Sequence, residues 1–506
     1  MWARVTSIGL KGMDGYRVNV EVGTYVGNDS FKIVGLPDAA VKESKERIIA
    51  ALGSLGVMLH GNKIIINLSP ADQKKMGPMF DFPMAMGVLL SLHEIEAVIP
   101  EDTGFIGALS LSGALQPVEG MLPAILSARK LGIQRLYIPV DEQLPDLDFI
   151  GLDLIYVTSL KDVIGHLTGQ WTPSTIKKVG TKPTCLVNYH LDFQQIIGQD
   201  GAKHALEVAA AGEHHVLMTG PPGCGKSLLA ESFPSILPPL TKEAQLEVLS
   251  LYQLSRSAYS RNDQPPFRSP HHSASGISII GGGQIPRPGE ISLAHHGVLF
   301  LDEIGEFPKK TLDLLRQPLE NGFITISRTH ASITYPASFL LIAARNPCPC
   351  GYAGSNTHYC TCSTKQIISY QNRLSGPLRD RFDINLSLRA INIEAAATVG
   401  KGESSKIVRE RVQEARERQY QRYGGEMCNS RAPYEVLVHD NPITEVQQTM
   451  LQQLALEKNW TNRTQIKIIR LARTIADLQG SSSITDQNIH EAIQLNGDIN
   501  GDRHHM

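Results

Sequence analysis

The chain has 506 residues, of which 42% are apolar and 19% are charged, a composition that excludes wholesale disorder and fibrous repeats. Its 48 basic and 50 acidic residues leave a net charge of −2, so any DNA binding must use a local patch rather than the whole surface. The first residues show no secretion signal, and the longest apolar stretch, residues 83–92, is about half a membrane span. With only seven cysteines, the composition predicts a cytoplasmic protein without membrane contact.

The first 170 residues are predicted to form a mixed α/β domain. Val18, Val20 and Val22 alternate with polar residues, which indicates a strand. Asp38 can cap a helix that runs to Leu55. A buried strand is predicted over residues 63–68, with further helices after Pro83 and over residues 121–131.

The rest of the chain is predicted to contain a linker and two further domains. Residues 171–191 are rich in proline, threonine and lysine, which is typical of a linker. Residues 192–391 alternate strand and helix patterns, which predicts a core with a parallel sheet. Residues 392–506 predict a helical lid with four amphipathic helices, at roughly 404–423, 443–459, 462–479 and 485–496.

A glycine-rich loop follows the apolar residues 215–219 and precedes a helix. It matches the phosphate-binding pattern G-x4-G-K-S in its required strand–loop–helix context. Backbone N–H groups of such a loop surround phosphate, the lysine reaches the β and γ phosphates, and the serine is a Mg²⁺ ligand. A chance glycine-rich turn is the alternative. The predicted ATP contacts are Gly220, Pro221, Pro222, Gly223, Cys224, Gly225, Lys226, Ser227 and Leu228.

Two further apolar strands end in polar residues that suit ATP hydrolysis. Residues 298–301 lead into Asp302, a predicted Mg²⁺ and nucleotide contact, and Glu303, which can polarise the attacking water. Exposed acids at a strand end are the alternative. Residues 339–344 are followed shortly by Asn346, whose amide can orient that water beside the γ phosphate.

Several arginines lie beyond these strands. Arg381, and less so Arg379, suits donation to the nucleotide of a neighbouring subunit, where such a residue raises the rate by about 10³ to 10⁵. Surface arginines are the alternative. Further along, Arg463, Lys467, Arg470 and Arg473 form one basic stripe on a helix. This stripe is either solvated, or it places Arg463 on the nucleotide.

Four cysteines cluster as two C-x-C pairs that nine residues separate. Four thiolates on two turns match a closed structural Zn²⁺ site without catalytic role; free thiols are the alternative. His358 could replace one ligand. The predicted ligands are Cys348, Cys350, Cys360 and Cys362.

Five long segments have a distinctive sequence: FRSPHHSAS (267–275), GGGQIPRPGEISLAHHGVLFLDEI (281–304), NPCPCG (346–351), LSGPLRDRFD (374–383) and ARTIADL (472–478). With these segments the chain resembles, over nearly its whole length, the ComM/YifB family of magnesium-chelatase-like AAA+ ATPases. The resemblance implies that Asn346 is sensor 1, Arg381 the arginine finger that acts in trans, and Arg463 sensor 2. It also implies a ring, commonly a hexamer, and, for the best-known members, a DNA motor that drives branch migration during natural transformation.

The N-terminal segments 35–48 and 67–87 resemble the family's first domain, which is similar to the proteolytic domain of Lon (S5 domain 2-like). A Lon-type protease needs a serine nucleophile and a lysine base. Met79 and Leu122 stand where these residues would be, so we expect a scaffold rather than a peptidase.

Residues 322–339 predict a β-hairpin with Arg328, Thr329 and His330 at its tip. In related ring motors a hairpin here points into the pore. The segment 276–290, with Arg287, could form a second pore loop. Six-fold repetition would concentrate these cations, so we expect Arg328, His330 and Arg287 to contact the DNA backbone without sequence preference and in a salt-dependent way. A structural hairpin with an exposed basic tip is the alternative.

Together the residues predict an ATP- and Mg²⁺-dependent motor that contacts DNA. The family resemblance implies, in addition, a homo-hexameric DNA translocase or helicase for branch migration during homologous recombination of incoming DNA, with recombination proteins as further partners. The first rival interpretation is the motor subunit of a metal chelatase. A protein-remodelling AAA+ ATPase is the second, and a non-catalytic, nucleotide-gated scaffold is the third.

Overall fold

The structure, a computed structural model, describes residues 2–142, 144–145, 151–170, 191–257, 259, 263–283, 286–328, 331–354, 358–389, 402–439 and 443–497. The predicted linker lies outside these residues except for its last position. The chain divides into two compact units: Met1–Thr184 with Leu246–Arg261, and Cys185–Gln245 with Asn262–Met506.

The first unit contains a seven-stranded mixed sheet that helices cover. The described strands of the unit, inside and outside this sheet, are β1 (Trp2–Lys11), β2 (Asp14–Val26), β3 (Ser30–Val34), β4 (Asn62–Ser69), β5 (Thr103–Phe105), β6 (Ala108–Leu109), β7 (Leu115–Gln116), β8 (Arg135–Pro139) and β9 (Asp153–Val157). The helices are α1 (Ala39–Ser54), α2 (Asp81–Ser91), α3 (Met121–Lys130) and α4 (Leu160–Leu167), with a 3₁₀ turn at Pro78–Phe80. The strand order is β3-β4-β2-β1-β5-β8-β9, and β6 and β7 form a separate pair.

The sequence patterns of this unit are confirmed except at the start of one helix. The three alternating valines of β2 are fully buried, and the Asp38 side chain accepts a hydrogen bond from Val41 N at 2.8 Å, which caps α1. Helix α2 begins at Asp81, two residues before Pro83. The prediction that it starts after Pro83 was wrong, because proline is accommodated in the first turn of a helix, where its missing N–H costs nothing.

The second unit is built on a five-stranded parallel sheet. The described strands of the unit, inside and outside this sheet, are in chain order β10 (Val216–Thr219), β11 (Phe267–Arg268), β12 (Gly281–Gly282), β13 (Arg287–Pro288), β14 (Val298–Leu301), β15 (Phe323–Arg328), β16 (Ala331–Pro336), β17 (Leu340–Arg345) and β18 (Ile384–Ser387). The sheet order is β11-β14-β17-β10-β18, and every pairing in it is parallel. Two hairpins, β12–β13 and β15–β16, stand apart from it.

Helices follow or connect these strands. They are α5 (Asp200–Gly212), α6 (Lys226–Ser232), α7 (Lys242–Ser255), α8 (Gly276–Ile280), α9 (Glu290–Leu293), α10 (Lys309–Asp313), α11 (Arg316–Asn321), α12 (Thr364–Gln371) and α13 (Gly376–Arg379), with 3₁₀ turns at Phe193–Gln195, Phe233–Ile236 and Ile304–Glu306. The division between the two units falls within α7, because its residues from Leu246 onward group with the first unit.

The C-terminal part is helical, as its periodicity predicts. It contains α14 (Ser405–Tyr423), α15 (Tyr434–His439), α16 (Glu445–Lys458), α17 (Asn462–Leu478) and α18 (Asp486–Asn496). The four long helices confirm the amphipathic patterns, whereas the short α15 was not predicted. These helices belong to the same compact unit as the parallel sheet.

A buried polar network attaches these helices to the sheet. His214 precedes β10, and its Nε2 lies 2.8 Å from Thr474 Oγ1 on α17. Asn429 donates to Thr474 and to Asp477, at 3.0 and 2.9 Å. The fully buried Asp477 is also paired with Arg473 at 2.9 Å. The Nη atoms of Arg473 are hydrogen-bonded, whereas its Nε is buried without a partner among the described residues. Removing one charge from this network would leave another buried and uncompensated.

None of the helices within the described ranges has the length and apolar composition needed to cross a bilayer.

Candidate nucleotide site and metal centre

The glycine-rich loop lies at the carboxyl edge of the parallel sheet, between β10 and α6. Strand β10 pairs with β17 on one side and β18 on the other. The sheet order reverses direction beside β10, and crevices at such a point bind ligands in open α/β sheets. Gly223 and Gly225 have φ of +76° and +91°, a conformation that favours glycine and lets the backbone amides face one centre.

The side chain of Lys226 is held over this loop by backbone carbonyls of the loop and by a residue that follows β17. Its Nζ donates to Gly220 O and Pro221 O, at 2.8 and 2.9 Å. It also donates to Asn346 Oδ1 at 3.2 Å. The predicted phosphate lysine and the predicted water-orienting amide are thus within hydrogen-bond distance, although 120 residues separate them in the chain.

The predicted Mg²⁺ ligands also meet. Ser227 Oγ donates to Asp302 Oδ2 at 2.9 Å, so a hydroxyl from α6 and a carboxylate from the end of β14 lie side by side. Oxygen ligands of this kind are the ones that Mg²⁺ prefers. Glu303 is half exposed and has a left-handed backbone, with φ of +48°. Strain of this kind is common where a side chain must be aimed at a site.

Three neighbours of this site carry no predicted role. His272 Nδ1 lies 3.6 Å from Glu303 Oε2, and Gln199 donates to Cys224 O at 3.2 Å. Arg345, which precedes Asn346, donates to Thr219 Oγ1 at 3.0 Å. A signal for His272 was present in the segment FRSPHHSAS, but no spacing rule relates a histidine there to an acid about 30 residues later.

Arg381 and Arg463 lie together, in a cavity of about 600 Å³ whose described lining includes none of the residues 220–227. Arg381 is 2.9 Å from Glu320, and Arg463 is 4.0 Å from the other oxygen of the same carboxylate. Three further cations line the cavity: Arg431, Lys467 and Arg470. The two arginines therefore face a space separate from the phosphate loop of their own chain.

Two members of the basic stripe of α17, Lys467 and Arg473, are buried, and Arg470 is partly buried. The alternative of a solvated stripe is therefore wrong for these residues. Lys467 donates to Phe382 O at 2.8 Å, and burial lowers its pKa. Arg470 donates to Ala432 O at 2.7 Å. Arg473 is fully buried. Only Arg463 is about half exposed, because it lies at the beginning of the helix, beyond the packed face.

Asp383 adds a negative charge to the wall of this cavity. Burial alone would raise its pKa, but the hydrogen bond with His214 and the nearby Lys467 hold the pKa at about 2. Burial lowers the pKa of His215, another lining residue, to about 4. The cavity therefore keeps an ionised acid and a neutral imidazole among its arginines at neutral pH.

The four clustered cysteines form a site that could hold a metal ion. Their Sγ atoms all lie within 4.8 Å of one another. Cys348 Sγ is 3.3 Å from that of Cys350 and 3.7 Å from that of Cys360, and the latter two are 3.5 Å apart. A tetrahedral Zn²⁺ with Zn–S bonds of about 2.3 Å requires sulfur atoms about 3.8 Å apart, so the donor set fits this ion. His358 is not a member of the group.

The two predicted DNA-contact loops are hairpins. In β15–β16, Arg328 pairs with Ala331, so the backbone places Arg328 beside the tip. Thr329 and His330 lie outside the described residues. In β12–β13, Arg287 pairs with Gly282. The hairpins contact each other, since Tyr335 of β16 donates to Pro286 O at 2.8 Å.

The positions that a Lon-type dyad would require are apolar and buried. Met79 is 5% exposed, and Leu122 is fully buried in the core of the first unit. Leu122 N donates to Gln253 Oε1 at 3.2 Å. Neither side chain offers a nucleophile or a base.

Three family models match this chain. "Magnesium chelatase, subunit ChlI" matches residues 192–396, "Subunit ChlI of Mg-chelatase" residues 20–142, and "Magnesium chelatase, subunit ChlI C-terminal" residues 402–496. Competence protein ComM of Haemophilus influenzae is 38% identical over 97% of this chain and 96% of its own length. YifB of Salmonella typhimurium is 38% identical over 95% of this chain and 94% of its own length. Lon protease 2 of Bacillus subtilis is similar over a shorter region: it is 28% identical over 25% of this chain and 22% of its own length.

Proposed function

The chain belongs to the ComM/YifB family of magnesium-chelatase-like AAA+ proteins, and from that premise we propose that it is an ATP-driven DNA translocase that acts as a homo-hexamer. Its role is to promote branch migration when incoming DNA recombines during natural transformation, in the cytoplasm and together with recombination proteins. The family implies ATPase activity; the coupling of that activity to DNA is our proposal.

One observation carries the proposal. Arg381 and Arg463 converge on a cavity that the phosphate loop of their own chain does not line. An arginine that stabilises the transferring phosphoryl group must approach it directly. These two arginines can do so when a second copy of the chain presents its triphosphate, and repeating this contact generates a closed ring.

In that arrangement each residue has a definite task. Lys226 would neutralise the β and γ phosphates, and Ser227 and Asp302 would hold Mg²⁺, which would supply further charge neutralisation. Glu303 polarises the attacking water and Asn346 orients it. Arg381 and Arg463 of the neighbouring subunit stabilise the charge that develops in the transition state.

The hairpins β12–β13 and β15–β16 are the proposed DNA-contacting elements. One Arg328, one His330 and one Arg287 per chain become six of each around a pore. This concentrates positive charge although the chain as a whole is slightly acidic. Contacts of this kind read the phosphate backbone rather than the bases, so we expect affinity to fall steeply with salt. The N-terminal unit, a Lon-like domain without its dyad, would serve as a scaffold or collar.

We further propose that Cys348, Cys350, Cys360 and Cys362 bind a structural Zn²⁺. A closed set of four sulfurs leaves no open position for substrate, so the ion would stabilise the segment after β17. Because Asn346 is only two residues before Cys348, this ion would also help to fix the sensor amide.

The test is ATP hydrolysis with and without forked DNA, together with displacement of branched substrates. We expect DNA to stimulate hydrolysis, and the Glu303→Gln variant with ATP to show six-membered rings with DNA in the pore by electron microscopy. A rate of ATP hydrolysis that is the same with and without DNA, together with no displacement of branched substrates, would refute the motor assignment.

The matches to chelatase family models favour a second candidate, the motor subunit of a metal chelatase. The N-terminal domain does not exclude it, since residues 20–142 match a model with a chelatase description. A porphyrin-binding partner that purifies with the chain would support this candidate over the DNA motor.

A further inference from the structure

Glu320 is the acid that faces both arginines of the cavity. It lies on α11, and its side chain is 55% exposed. One carboxylate oxygen is 2.9 Å from Arg381 Nη2, and the other is 4.0 Å from Arg463 Nη2. The two residues proposed to bind a neighbour's phosphate are therefore engaged by one carboxylate in the single chain.

This arrangement leaves Arg381 only partly satisfied. Its side chain is 9% exposed, and its Nε and Nη1 are buried without a hydrogen-bond partner among the described residues. Guanidinium groups bind carboxylate and phosphate through the same donors, and a phosphate offers more oxygens and more charge. A triphosphate entering the cavity would thus compete with Glu320 for Arg381 and Arg463.

The helix that carries Glu320 leads directly into the hairpin β15–β16. Helix α11 ends at Asn321, Gly322 follows with φ of +73°, and β15 begins at Phe323. Gly322 O accepts a hydrogen bond from Ala337 N at 2.8 Å. Both ends of the hairpin therefore meet at one residue, two positions from Glu320.

The hairpin is packed well enough to move as a body. Ile326 and Ile333 pair across it and are mostly buried, and Tyr335 is hydrogen-bonded to Pro286 beside Arg287. A shift of α11 would first displace β15–β16. It would then displace β12–β13 through the hydrogen bond between Tyr335 and Pro286, because close-packed elements shift together rather than deform.

We propose that Glu320 couples phosphate binding at Arg381 and Arg463 to the position of the two hairpins. When phosphate binds Arg381 and Arg463, their ion pairs with Glu320 break. Helix α11 is then free to move with both hairpins. When phosphate leaves, the ion pairs re-form. Glu320 is thus a positioning residue that acts through the arginines. The inference rests on the proposed function in taking the phosphate from a neighbouring subunit.

The experiment measures hydrogen–deuterium exchange of the peptide 322–337 in the full chain, with and without ATPγS and Mg²⁺. In the wild type we expect ATPγS to change the exchange rate of the hairpin by about threefold or more. In Glu320→Gln the change should disappear. The matched control is Glu414→Gln, which removes an exposed carboxylate 3.3 Å from Arg418 and should respond as the wild type does. Glu320→Asp keeps the charge and should retain most of the response.

Each contrary outcome overturns the proposal. A wild type that shows no response to ATPγS has no coupling, and a Glu320→Gln variant that responds normally places the coupling elsewhere. Equal losses in the Gln and Asp variants would indicate packing rather than charge. A basal ATPase in Glu320→Gln as low as in Arg381→Ala would mean that Glu320 only holds Arg381 in place. Because no DNA is present, failure of the translocase assignment would leave this result interpretable.

Discussion

Replacing Arg381 by alanine separates the two halves of the proposed catalytic site. Lys226, Ser227 and Asp302 contact one another or Asn346 within one chain, whereas Arg381 lies in a cavity that the described phosphate-loop residues do not line. ATP should therefore still bind to Arg381→Ala through the phosphate loop of each chain. Hydrolysis should fall by about 10³-fold or more, which corresponds to a barrier higher by about 4 kcal/mol.

A mixing assay shows on which subunit the arginine acts. Lys226→Ala cannot bind phosphate but keeps Arg381, and Arg381→Ala has the opposite defect. In a randomly mixed ring with equal shares, about one quarter of the junctions combine an intact phosphate loop with an intact arginine. Two preparations that are inactive alone should thus regain up to about one quarter of the wild-type rate when they are mixed before assembly.

The control is a mixture of Lys226→Ala with Glu303→Gln, whose defects both lie in the half-site that contains the phosphate loop. No junction in that mixture is complete, so it should stay inactive. If Arg381→Ala fails to bind ATP, or if its mixture with Lys226→Ala stays inactive although both assemble, the assignment of Arg381 to a neighbouring subunit is wrong.

Three further predictions concern the metal site, stability and pH. Cys350→Ser should abolish about one equivalent of zinc per chain in elemental analysis, because a Cys₄ site loses a quarter of its ligands; unchanged zinc content would place the metal elsewhere. Asp477→Ala should destabilise the C-terminal helices by about 3 to 5 kcal/mol in urea unfolding, since Arg473 would be left buried without its acid; a loss below about 1 kcal/mol would contradict this. The pKa of His215 is about 4 when folded and 6.5 when free, so the unfolded chain binds more protons between these values. Its contribution to stability is present above pH 6.5 and is lost as the pH falls to 4, by at most about 3 kcal/mol. The thermal midpoint of His215→Asn should then depend less on pH over this window, and an identical pH profile would show that His215 does not titrate as described.

Local features of the sequence were sufficient to predict that Lys226, Ser227, Asp302 and Asn346 lie together, because the position of each depends on nearby residues. The phosphate loop is a contiguous pattern, and Asp302 and Asn346 each follow an apolar strand. The carboxyl ends of parallel strands meet at one edge of a sheet, so knowing the strands was enough to bring Lys226, Ser227, Asp302 and Asn346 together.

The cysteine cluster could be predicted from the sequence for the same reason. The two C-x-C pairs are close in the chain, so they are expected to be close in space. In the structure their sulfur atoms lie within 4.8 Å of one another. The helical C-terminal region followed from hydrophobic periodicity, which depends only on the spacing of residues along one helix.

What the sequence determined by itself was therefore the set of strands, helices and loops, and the chemistry attached to each. What only the tertiary structure decided was which charged groups share a space. Arg381, Arg463 and Glu320 are separated by 61 to 143 residues, and no periodic pattern relates them. Their meeting depends on how α11, α13 and α17 pack around the sheet, because the energy of an ion pair is set by distance and burial in the folded chain. For the same reason the basic stripe of α17 could be predicted as a stripe, while the burial of Lys467 and Arg473 could not.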